Sequence, residues 1–183
     1  MQFAYHSELL EGTFYAEGVK AGIFADAFLE QIVAIRDHDM AHADALATTI
    51  GQLAAEVPAT PQFTFPNGAF GDAKTFLGLA ATFEPVGIGA FEPVGIGAYQ
   101  GAAPLISSLD ILAAAGSITG VEGEHVEAVN RLLGVAPYAN EAFPEALTLD
   151  EVSAAVAPFM GGEMLSTSGP KLSPAEAYRL GHV

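Results

Sequence analysis

Two acid-x-x-His pairs, each inside a long apolar helix-like run, constrain this chain most. Glu122 and His125 fall in a run from Ser107 to about Leu133, and Asp39 and His42 fall in one from about Phe24 to Leu53. Residues three apart project from one helical face, one turn apart. A carboxylate and an imidazole stacked in this way can hold a metal ion between them. One such pair is common on solvated helices, where it means only an acidic face carrying a histidine. Two pairs on two long helices, with single glutamates available on two other helical segments, form a narrower pattern. It is the ligand arrangement of a dimetal-carboxylate four-helix bundle.

The totals agree with a single core. A chain of 183 residues with 51% hydrophobic residues suits one domain of ordinary size. There is no cysteine, which excludes disulfides, iron–sulfur clusters, thiolate zinc sites and cysteine nucleophiles. The net charge is −16, from 22 acids against 6 Lys plus Arg. Such a surface repels nucleic acid and anionic membranes, attracts cations and favours solubility. No secretory signal is visible and no apolar run is long enough for a membrane span, so the expectation is a soluble chain, cytoplasmic or exported after removal of a leader.

In chain order, residues 2–19 read as the first helix. Phe3, Leu10 and Phe14 share one stripe, and Ala4, Glu8, Glu11 and Tyr15 a neighbouring one. Read alone, Glu8 and Glu11 are expected to face water, because ionised carboxylates are rarely buried without partners. Gly18 and Gly22 loosen the chain before the second helix. On that helix His38 points about 100° away from Asp39, so His42 is the better partner. Residues 55–69, with Pro58, Pro61 and Pro66-Asn67-Gly68, form a long connection across the bundle.

A third helix starts near Asp72 and meets the oddest feature of the chain. Phe83-Glu84-Pro85-Val86-Gly87-Ile88-Gly89-Ala90 is followed at once by an identical octapeptide, Phe91 to Ala98. It reads as a recent or deliberate tandem duplication, far shorter than a solenoid repeat. Eight helical residues add about 12 Å and about 800° of rotation, a net offset of about 80°. The extra unit is therefore expected to be absorbed by a kink, bulge or extruded loop near one proline, with the possibility of a homodimer that exchanges a helix. Ser107 is the expected N-cap of the fourth helix. Thr148-Leu149-Asp150-Glu151 reads as a capping box opening a short fifth helix to about Met160. The expected division is a bundle over residues 1–160 and a C-terminal extension over 161–183.

Glu8-Leu-Leu-Glu11-Gly-Thr-Phe14-Tyr15, Asp39-x-x-His42, the Phe-Glu-Pro-Val-Gly-Ile-Gly-Ala-Tyr region and Val121-Glu122-x-x-His125 together resemble a known family. It is the bacterial and plant ferritin-like domain family that includes the desiccation-related proteins, and the resemblance covers about residues 3–134. It implies an all-α, ferritin-like four-helix bundle with a long crossover between helices two and three. It also implies a pair of Fe or Mn ions held by Glu8 or Glu11, by Asp39 and His42, by Glu84 or Glu92, and by Glu122 and His125. Asp39 stands where the family usually has Glu. Glu84 keeps the register of the upstream helix, whereas Glu92 keeps the spacing to Tyr99. The activity implied is oxidase, peroxidase or catalase chemistry with dioxygen or peroxide. The alternative is a structural or stress-related bundle whose metal site has degenerated.

Overall fold

A computed structural model describes residues 1–81, 91–135 and 146–161, with the backbone alone over 91–93. The described residues form six α-helices and no strand: α1 (Gln2–Ala21), α2 (Asp26–Gln52), α3 (Ala73–Ala81), α4 (Phe91–Ala102), α5 (Leu109–Leu132) and α6 (Leu149–Val156). A tight link joins α1 to α2, which pack along one another, while α4 packs along α5 and α3 touches both. The expected third helix is described in two parts, α3 and α4; the kink, bulge or loop expected between them falls outside the described residues, and the all-α bundle stands. Residues 82–90, including Glu84 and Pro85, lie outside the described residues, as does the extension from 162 onward. Pro93 is the third residue of α4, within the first turn, where its missing N–H costs no intrahelical bond.

The connection from Leu53 to Asp72 crosses the bundle without helix, in line with its prolines. One local expectation needs correction. Ser108, not Ser107, caps α5: its side chain accepts from the Ile111 N–H at 3.4 Å, with Ser108 itself extended (φ −81°, ψ 120°). Leu109, the first residue of that helix, is one of the most exposed large side chains. The Thr148–Glu151 capping box forms as expected, both halves being present. After Val156 one 3-10 turn, Ala157–Phe159, carries the chain to Met160.

Gly18 does not loosen α1, which runs on to Ala21 and stops at Gly22 in the left-handed conformation (φ 67°). Its lack of a side chain admits the Phe76 ring of α3, which stacks on Phe14 with centroids 4.2 Å apart and planes at 12°. Phe14, Tyr15, Phe24 and Phe76 anchor the main core, joined by Ile32, Val129 and, from the C-terminal segment, Val156, Phe159 and Met160. A Cβ at Gly18 would come within 2.8 Å of Phe76 Cζ and collide with its edge. Because Phe76 is fully buried it has nowhere to move. Gly18→Ala is expected to destabilise the fold by about 1–3 kcal/mol despite alanine's better helix propensity. A urea-denaturation midpoint equal to or above that of wild type would contradict this packing.

The segment after α5 braces α4. The Leu147 N–H donates to the Gly97 carbonyl at 2.9 Å, and the Leu147 carbonyl lies where a Cβ of Gly101 would be. Thr64 of the crossover donates its N–H to the Phe159 carbonyl at 2.8 Å.

Candidate metal centre

Three helices bring their acids to one place because those acids occupy the buried stripes. On α2 the stripe runs Ile32, Ile35, Asp39, Ala43, Leu46 and Ile50; on α5 it runs Ala115, Ile118, Glu122, His125, Val126 and Val129. On α1, Glu8, Glu11 and Tyr15 repeat at three and four residues beside Leu10 and Phe14. Glu8, Glu11, Asp39, Glu122 and His125 are all buried. The expectation that Glu8 and Glu11 face water is therefore overturned: their stripe turns inward, where α2, α4 and α5 close over it. Likewise the acidic face expected for a merely solvated α2 is inverted at Asp39, which is fully buried. Beside Asp39, Gly12 of α1 faces the Met40 side chain of α2. A Cβ there would sit 3.2 Å from three Met40 atoms.

The geometry is compact. His42 Nδ1 lies 3.0 Å from Glu8 Oε2 and 3.3 Å from Glu122 Oε1. His125 Nδ1 lies 3.4 Å from Asp39 Oδ1 and 3.6 Å from Glu122 Oε2. One donor atom from each of Glu8, Asp39, His42 and Glu122 falls within 4.8 Å of all the others, a set that can hold a metal ion. Glu122 thus presents one oxygen to each histidine. Glu11 enters from the other side: a point one Cβ bond out from Gly95 of α4 is 3.6 Å from Glu11 Oε1 and 3.4 Å from Glu122 Oε2. Six of the eight expected site residues therefore converge. Glu92 lies in α4 one turn before Gly95, and Glu84 lies outside the described residues.

Three further residues were not marked as site residues by the sequence reading. Gly95 leaves the wall beside Glu122 and Glu11 clear of any side chain. Tyr99, one turn later, donates its hydroxyl to Glu8 Oε1 at 2.6 Å. Its signal was the i, i+4 spacing from Gly95 in the second octapeptide; the first octapeptide is followed by Phe91, which has no hydroxyl. His38 places Nδ1 3.1 Å from His125 Nε2, with the two rings nearly parallel (13°) and centroids 5.3 Å apart.

The charges perturb one another strongly. Burial raises the Glu8 pKa and Glu122 repulsion adds to it, against the bonds from His42 and Tyr99. Burial works to lower the His42 pKa, but Glu122 and Glu8 outweigh it and push it up to about 9. Burial, followed by the Glu8 charge, holds the Tyr99 phenol far above its ordinary range, so it stays an O–H donor. Four buried carboxylates outnumber the two imidazoles that face them, and buried anions at this density call for cations. Oxygen and imidazole donors without thiolate fit a hard to borderline divalent ion.

No described helix is long and apolar enough to cross a membrane. Comparison with curated proteins finds no match. A family model described as a ferritin-like domain matches residues 1–135, the span that contains every residue of the cluster. The chain belongs to the ferritin-like domain family.

Proposed function

We propose that this chain is a dimetal-carboxylate protein in which Glu8, Asp39, His42, Glu122 and His125 would hold two iron or manganese ions. The observation that carries this reading is the split of the Glu122 carboxylate, Oε1 toward His42 and Oε2 toward His125. Glu8 and His42 would complete one position, and Asp39 and His125 the other. Glu11 and Glu92 are the remaining carboxylates, Glu92 being favoured over Glu84 because Gly95 and Tyr99 of the same octapeptide copy border the cluster. Bound there, the ions would supply one- or two-electron redox chemistry with dioxygen or peroxide as oxidant.

The side chains have separate tasks. Tyr99 pins Glu8 by donating to one oxygen, leaving the other for His42 or an ion. Glu8, Asp39 and Glu122 serve as anions, and both histidines must be neutral at the nitrogen that ligates. The buried Ile35, Ala43, Ile118 and Val126 on the same stripes limit entry of bulk water. Gly95 keeps a methyl-sized space open beside Glu11 and Glu122.

A second reading is a stress-related bundle that binds metal without turnover. It is favoured by Asp39 in place of the glutamate of the resemblance, and by the proline and two glycines that each octapeptide copy places in the expected third helix. Crystals grown with iron or manganese, measured at both absorption edges, separate these readings when combined with a peroxide-consumption assay. Two anomalous peaks flanking Glu122 with turnover are expected. Peaks without turnover favour the second reading, and the absence of any peak at Glu122 defeats both.

A further inference from the structure

We propose that His38 is a positioning residue for His125, an inference that rests on the metal reading above. His38 is exposed, whereas His125 is buried. Their contact joins His38 Nδ1 to His125 Nε2 at 3.1 Å. The opposite nitrogen of His125, Nδ1, is the one turned toward Asp39 and Glu122. A neutral imidazole has one N–H and one lone pair. For His125 Nδ1 to offer a lone pair to an ion, its proton must sit on Nε2, and that N–H needs an acceptor.

His38 Nδ1 is that acceptor. It then carries its own proton on Nε2. The bond fixes both the tautomer and the tilt of the buried ring, and the near-parallel rings keep the acceptor lone pair in line. No other assigned role accounts for an exposed imidazole laid against a buried one. His38 never touches the ions in this scheme; it acts through His125.

The test uses zinc, a diamagnetic probe, with the full chain. His38→Ala is expected to weaken zinc binding in equilibrium dialysis by about 10–100-fold, while the unfolding midpoint of the zinc-free protein is unchanged. His38→Gln, whose side-chain carbonyl can accept the same N–H, should recover most of the loss. Nitrogen-15 NMR of the zinc-loaded wild type should show His125 protonated at Nε2 and bound through Nδ1. Zinc binding by wild type with equal affinity in His38→Ala overturns the role of His38 alone, as does ligation through His125 Nε2. A wild-type chain that takes up no zinc overturns the metal reading and this inference with it.

Discussion

Replacing Glu122 and His125 together by alanine is expected to lower affinity for iron or manganese by well over about 100-fold, and to leave less than one ion per chain after reconstitution. Loss of an outer hydrogen-bond partner alone costs a metal site about 10–100-fold, and this pair removes the shared carboxylate and one imidazole at once. Thermal unfolding gives a second readout. Wild type should gain stability with added metal by mass action, and the double variant should not. Unchanged metal content in the double variant would remove Glu122 and His125 from the site.

Metal affinity is expected to rise about tenfold per pH unit from about pH 6.5 to about pH 9. His42 keeps its proton until about pH 9 in the metal-free protein, and an ion must displace that proton to reach the ring. Above about pH 9 the His42 contribution levels off. Folding has the opposite slope. The folded pKa of His42 lies above the ordinary 6.5, so its contribution is fully present below about pH 6.5 and lost as pH rises through about 9. That loss amounts to roughly 3 kcal/mol at most. The raised pKa of Glu8 acts in the same sense from lower pH, because the buried anion is costly once formed. The metal-free protein is therefore weakest where the ion binds best, and stabilisation by metal should grow with alkalinity. Competition against a chelator across this range checks the first slope, and denaturation in its presence checks the second. A flat affinity profile between pH 7 and 9 would show that His42 does not ligate.

The sequence reading succeeded where the signal was local. The Thr148–Glu151 capping box and the crossover prolines each act within a few residues, and each took the expected form. It failed where a second element decides. Glu8 and Glu11 are ordinary surface acids until α2, α4 and α5 cover them. His38 was set aside because it diverges from Asp39 on its own helix; its partner comes from α5, 87 positions away. Gly18 reads as a weak point in one dimension and is a seat for Phe76 in three. The choice between the octapeptide copies could not be made from identical letters. The proposal of Glu92 draws on Gly95 and Tyr99, which belong to the second copy and its following residue.

The ferritin-like match ends at residue 135, yet Val156, Phe159 and Met160 lie beyond it and fill the main core. Leu147, also beyond it, holds the helix that carries Tyr99 and Gly95. The span matched by the family model is thus smaller than the unit that packs together. A fragment trimmed to the homologous boundary would keep Glu8, Asp39, His42, Glu122 and His125 and still lose the clamp on one wall of their chamber.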